Sequence, residues 1–282
     1  MNAVDFAKQA NEIFVLSDSF IRIKELIDDE TSTIDDIADV IIIDPALSGT
    51  ILKLANSSFF NYPGKIDTIA KAVLVLGITE VYNLVIAYFT TEAFKAIQAP
   101  ADYLEEFWEQ SVDCALLVKY LGGELKVPNS ERLFILGLLH NLGELIVKQL
   151  APAKVEACAV NDKLEIMPWQ QQQEVLGFTF GDCSAELLKQ WQLPYSLIEP
   201  IRNQDDSDLQ DVSQESSLLY IAKRVMLNSN KFPNMPLETF ITPEQLVNFD
   251  VESTLVNSAV NYCNMERLGV LSVLKPSSVM IY

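Results

Sequence analysis

Apolar residues recur three and four positions apart along almost the whole chain, and that spacing most constrains what it can fold into. A 3.6-residue period gives each segment one apolar stripe, as a helix requires and a strand does not. Phe20, Ile23 and Ile27 follow it, with Asp18 and Ser19 as the expected cap. Thr33 with Asp36 approximates a capping box ahead of Ile34, Ile37, Ala38 and Ile41. The run Val40 to Ile43 is the most strand-like stretch, yet it sits inside that helical period. Asp44 and Pro45 open the next helix, with Leu47, Ile51, Leu54 and Ala55 as its stripe. Asn61, Tyr62, Pro63 and Gly64 read as a turn.

Further along, two helices are expected over 67–97, broken at Gly77, with Thr79 capping the second. Helices are also expected over 102–121, stopped by Gly122 and Gly123, and over 130–150 as one very apolar element. Pro168 starts a helix that Gly177 ends; 180–192 and 194–204 give two more. Leu218 to Met226, a start at Thr242 and Pro243, and Val251 to Leu268 complete the pattern. The fold class is therefore all-α: a multi-helical bundle with an additional C-terminal helical segment. Asp205, Asp206, Ser207 and Asp208 form an acidic break. We divide the chain there into a helical domain, 1–205, and a helical extension, 206–282, docked on it or a separate lobe.

With 282 residues and 49% hydrophobic content, a large core is affordable. The net charge of −19 repels nucleic-acid phosphates and anionic membrane surfaces, so no nucleic-acid partner is expected. Ala72 to Phe94 is the most apolar stretch; Glu80 and Asn83 near its middle favour a buried helix over membrane insertion. The first residues lack a basic region followed by an apolar run, so they do not read as a signal peptide. Cys114, Cys158, Cys183 and Cys263 form no CxxC pair and read as reduced, buried thiols, consistent with a cytoplasmic protein. His140 is the one histidine, which removes the His-rich metal clusters and the HExxH motif.

Four ordered blocks carry a family resemblance. Ile43, Asp44, Pro45, Ala46 and Leu47 are followed by Leu54, Ala55, Asn56 and Ser57, then by Ala70 to Gly77. Gly137 to Gly143 and Trp191 to Pro194, with Ile198, Ile201 and Arg202, complete them. The set resembles the HDOD domain family over residues 13–205. Asp44, Pro45, Leu47, Ala55, Asn56, Ser57 and Gly77 are signature residues with fold-specifying roles. Pro45 presets φ, Asn56 and Ser57 end a helix, and Gly77 and Gly143 permit close approach or a break.

The resemblance implies an HD-like fold, similar to that of the HD-domain metal phosphohydrolases. Those enzymes hold divalent metals with a His, a His-Asp doublet and a later Asp, so that bound water can attack phosphorus. The corresponding positions here carry Gln110, His140 with Asn141, and Lys223; Phe180 stands where a further His is often found. Amides bind transition metals far less well than imidazole or carboxylate, and an ammonium repels them. No metal, no other cofactor and no catalytic residue is therefore expected. We read His140 as a buried, hydrogen-bonded core residue, against a relict ligand or acid–base group; a pair with Glu144 on one helix face is open.

Two functions remain. The first is a non-catalytic bacterial signal-transduction module that binds protein partners in a signalling pathway, or a small ligand of unknown identity in the vacated pocket. The alternative is a metal-dependent phosphohydrolase with a rearranged site, its candidates Asp182, Glu186, Glu174 and His140. Other constellations read as scaffold. Glu109 and Asp113 are taken as a solvated face, Gln170 to Gln173 as an exposed one, and Trp108, Trp169 and Trp191 as packing. Ser57, Ser58 and Cys114 lack a nearby base.

Overall fold

The structure is a computed structural model that describes residues 1–57, 60, 62–128, 130–159, 164–206 and 212–274. Asn61 of the expected turn, Ser58, and Ser207 and Asp208 of the acidic break lie outside the described residues. No strand occurs among the described residues. The helices are α1 (Ala3–Ile13), α2 (Asp18–Asp28), α3 (Ile34–Ile42), α4 (Pro45–Ala55), α5 (Ile69–Leu76) and α6 (Ile78–Ala93). Then come α7 (Ala101–Glu124), α8 (Leu133–Leu139), α9 (Leu142–Leu150), α10 (Pro152–Ala157) and α11 (Pro168–Leu176). The last are α12 (Phe180–Gln190), α13 (Tyr195–Arg202), α14 (Gln214–Lys231), α15 (Pro243–Asn248) and α16 (Ser253–Leu274).

Local chemistry sets most of these limits. Thr33 and Asp36 make the reciprocal capping box at α3, and the Val40 stretch stays helical. Asp44 accepts from Ala46 N at 2.9 Å and Leu47 N at 3.0 Å, with Pro45 as the first residue of α4. Gly177 closes α11 in the left-handed conformation at φ +79°.

Several expected details differ. Ser17, one residue before the expected pair, caps α2. Gly77 itself precedes α6, so Thr79 sits inside the first turn and caps nothing. Helix α7 continues through Gly122 and Gly123 to Glu124, and the chain turns at Lys126, φ +52°. Asn56 is not left-handed (φ −94°); its side-chain amide instead bonds both Ile66 N, at 2.8 Å, and Ile66 O, at 2.6 Å. Asp113 is no solvated carboxylate: it is 4% exposed and paired with Arg267 of α16. Gln172 is buried, not exposed, and accepts from Phe180 N at 2.8 Å.

The central helix is α7, with α8, α14 and α16 packed against it. A second layer forms around α12, which packs on α1, α9 and α13; α6 packs on α2, α4, α5 and α8. The expected single helix over 130–150 is two, broken at His140 and Asn141. All of α8 is buried, and each buried Leu or Phe contributes about 1.5–3 kcal/mol of transfer free energy. The window Leu133–Leu150 is apolar enough by length and composition to cross a membrane (mean hydropathy 1.3). Here 72% of it is buried inside the protein.

Candidate functional site

The break between α8 and α9 positions the site, and two glycines explain its location. A Cβ on Gly137 would lie 2.4 Å from Ala115 Cα, so only glycine lets α8 press onto the backbone of α7. A Cβ on Gly143 would lie 2.1 Å from Phe180 O, so α9 meets the start of α12 equally closely. Ser184 Oγ fastens that junction, accepting from Gly143 N at 2.8 Å and donating to Phe180 O at 2.9 Å. Gln204 Nε2 donates to His140 O at 2.9 Å, holding the break itself. Gly143 thus has the close-approach role its sequence context suggested.

These contacts surround a cavity of about 360 Å³. Gln110 from α7, His140 and Asn141 from the break, Phe180 from α12 and Lys223 from α14 all line it. Apart from the adjacent His140 and Asn141, the five positions singled out in the sequence lie apart along the chain, and the structure brings them all to one cavity. Tyr103, Glu144 and Trp169 line it too. The signature residues Asp44, Pro45, Leu47, Ala55, Asn56, Ser57 and Gly77 are not among its lining; they shape α4 and its surroundings. Ser57 Oγ, for instance, donates to Leu54 O at 2.6 Å at the end of α4.

His140 is 5% exposed, and its Nδ1 lies 2.7 Å from Gly137 O. A carbonyl can only accept, so Nδ1 carries the proton and Nε2 is a lone-pair acceptor. Burial, helped by the nearby Lys223 charge, pushes its pKa down to about 4, so the ring is neutral near pH 7. Lys223 Nζ donates to both Asp205 oxygens at 2.6 and 2.7 Å. Burial lowers the Lys223 pKa, and Asp205 opposes that shift. Trp169 spreads over the Arg224 guanidinium at 3.9 Å, so it belongs to this wall as well as to packing. Glu144 does not pair with His140. It accepts from Tyr103 Oη at 2.6 Å and from Asn141 Nδ2 at 2.6 Å. Burial raises its pKa.

The donor set does not fit a catalytic metal. The five positions offer one imidazole, two amides, a phenyl ring and an ammonium already bound to Asp205, and the neighbouring Glu144 carboxylate is taken up by Tyr103 and Asn141. Among the described residues, no group of three or more His, Cys, Asp or Glu is placed to hold a metal ion. The alternative carboxylate set is also dispersed. Asp182 closes the Thr179 capping box, Glu186 accepts from Arg202 at 2.7 Å, and Glu174 is exposed. Of those four candidates only His140 lines the cavity. The four cysteines are free and buried, and burial pushes the Cys114 and Cys183 thiols up, away from the reactive thiolate.

Sequence reasoning missed Tyr103, Trp169 and Asp205 as site residues. Only Asp205 left a signal, as the first acid of the break; its carboxylate lies against Lys223 instead of in solvent.

The HDOD domain family model matches residues 13–207. The chain belongs to the HDOD domain family. The blocks read from the sequence placed the HDOD region at 13–205, two residues short of the match. A curated relative, an uncharacterized protein of Treponema pallidum, is 26% identical over 205 residues. That alignment covers 71% of this chain and 39% of the relative, so the chain spans about two fifths of its length. An HDOD domain protein of unknown function from Geobacter sulfurreducens superposes with TM-score 0.71 at 19% identity, covering 96% of this chain and 97% of that one. A provisionally named phosphohydrolase from Shewanella amazonensis gives 0.70 at 22% identity, covering 94% and 95%. A provisionally named signal transduction protein from Marinobacter aquaeolei gives 0.67 at 21%, covering 92% and 58%. These solved structures share the all-helical HDOD fold.

Proposed function

We propose that this chain is a non-catalytic HDOD module of bacterial signal transduction, acting by binding a protein partner or a small ligand. One observation carries the reading: the cavity lined by Gln110, His140, Asn141, Phe180 and Lys223 holds an ion-paired ammonium and amides where a metal would need anionic or imidazole donors. The name of the Marinobacter relative is consistent with signalling, and those of the Shewanella relatives with an origin in a hydrolase fold. We read 1–205 and 206–282 as one folded unit. Its support is the packing of α14 and α16 on α7.

The test is elemental analysis after incubation with manganese, magnesium, iron and zinc, followed by assays on phosphodiesters and nucleotides. The module reading expects no stoichiometric metal and no turnover. One metal per chain together with turnover that His140→Ala abolishes would overturn it in favour of a phosphohydrolase.

A further inference from the structure

Among the charged residues that line the cavity, Glu144 alone has no opposite charge within 4 Å among the described residues, and Lys231 acts on it only from farther off. Lys223 is held by Asp205, Lys148 lies 3.6 Å from Glu156, and Lys231 lies 3.9 Å from Glu106. Glu144 has no cationic partner within 4 Å among the described residues; its two donors, Tyr103 Oη and Asn141 Nδ2, are neutral. A recessed carboxylate without a counter-charge is costly, so such a group stays neutral or meets a cation.

The groups beside it are acceptors left over from the protein's own hydrogen bonding. His140 spends its only proton on Gly137 O, which leaves Nε2 as an acceptor in a ring 95% buried from solvent. Asn141 uses its amide nitrogen on Glu144, and Gln110 uses its own on Glu106 Oε1 at 2.8 Å. No partner for Asn141 Oδ1, Gln110 Oε1 or His140 Nε2 occurs among the described residues. Beside the Glu144 carboxylate, which already accepts from Tyr103 and Asn141, the wall therefore presents two amide oxygens and an imidazole nitrogen without donors. Phe107 and Phe180 add aromatic surface.

We propose that the cavity binds a small organic cation through a guanidinium or primary ammonium group, with Glu144 as its counter-charge. Such a headgroup brings several N–H donors for those open acceptors and one positive charge for Glu144, while the ammoniums that line the wall, Lys223, Lys148 and Lys231, face Asp205, Glu156 and Glu106. Aromatic rings attract organic cations through their faces. The net charge of −19 raises the local concentration of cations and lowers that of anions. At about 360 Å³ the cavity falls within the roughly 300–1,000 Å³ of small-molecule sites. The inference rests on the module reading, since a hydrolase centre would use this same space for metal and phosphate.

Calorimetry of the full chain with butylguanidinium, butylammonium, the neutral isostere butylurea and AMP tests it. Saturable one-to-one binding of a cation, at least tenfold tighter than butylurea, is expected. Glu144→Gln preserves the side-chain shape and removes the charge, and it should weaken cation binding at least tenfold. Equal binding of butylurea, an unchanged affinity in Glu144→Gln, or binding of AMP alone overturns the proposal. The wild-type cation-to-urea comparison stands even if the variant fails to fold. No response to any of the four probes, in a chain that also binds no metal, removes this inference and leaves the module reading intact. Manganese binding with phosphodiester turnover removes both.

Discussion

His140 shows how one residue type can carry opposite meanings. On a metal it would be a ligand; here it is a buried neutral ring bonded to Gly137 O, as its place in an apolar segment suggested. The charges facing it are Lys223 and Asp205, with Glu144 across the same cavity. Its pKa falls from the usual 6.5 to about 4 in the folded chain. Between those values the unfolded chain takes up a proton that the native chain refuses. This contribution is therefore complete above pH 6.5 and is lost as pH falls towards 4. The shift corresponds to about 3 kcal/mol at most. In urea unfolding at pH 7.5 and 4.5, His140→Asn should lose about 2–3 kcal/mol less on acidification than wild type. Equal losses would mean the ring is protonated in the native state. Glu144 and Lys223 were harder to foresee, because their surroundings come from α7, α14 and the chain around Asp205.

Helices were the most legible element. Periodicity placed them, and side-chain caps at Thr33, Asp44 and Thr242 started them where the sequence suggested. What failed were limits set by backbone conformation or by packing. Gly122 does not stop α7, because its missing Cβ is used to admit Leu133, whose Cδ1 would lie 2.0 Å from it. The 130–150 pattern reads as one helix because its hydrophobicity is continuous, and periodicity does not register a two-residue break. Gly77 is different in kind: at φ +91° and ψ 156° it occupies a region almost closed to other residues. Gly77→Ala should cost about 2 kcal/mol in thermal or urea unfolding. Gly177→Ala, in the milder left-handed region with open space around it, should cost about 1 kcal/mol. Equal effects at the two sites would contradict this backbone account.

At the scale of the whole molecule, the C-terminal helix is fastened to the centre of the fold. Arg267 Nε and Nη2 each lie 2.6 Å from one oxygen of Asp113, joining residues 154 positions apart. Tyr262 meets Tyr120 at 5.0 Å between ring centroids along the same interface. Asp113 is buried, so losing only its partner strands a charge. Arg267→Met should cost about 3 kcal/mol. Adding Asp113→Leu should restore most of it, because a buried pair replaced by apolar groups is close to neutral. A single variant as stable as wild type would show that the pair does not hold α16 to α7.

The division between sequence and tertiary structure follows the range of the interactions. Helix content, most caps, family membership and the residue types at the five cavity positions were all decided locally, by periodicity, backbone preference and the order of short blocks. From the sequence alone, one histidine and two amides led only to the expectation of a poor metal site. Only the tertiary structure decided that Gln110, His140, Asn141, Phe180 and Lys223 share one cavity, that Asp205 neutralises Lys223, and that Glu144 has no cation within 4 Å among the described residues. Charge pairing is a property of distance in space, and helix packing sets those distances through close approaches such as Gly137 on Ala115. No local pattern in the chain records which carboxylate will find a cation and which will not.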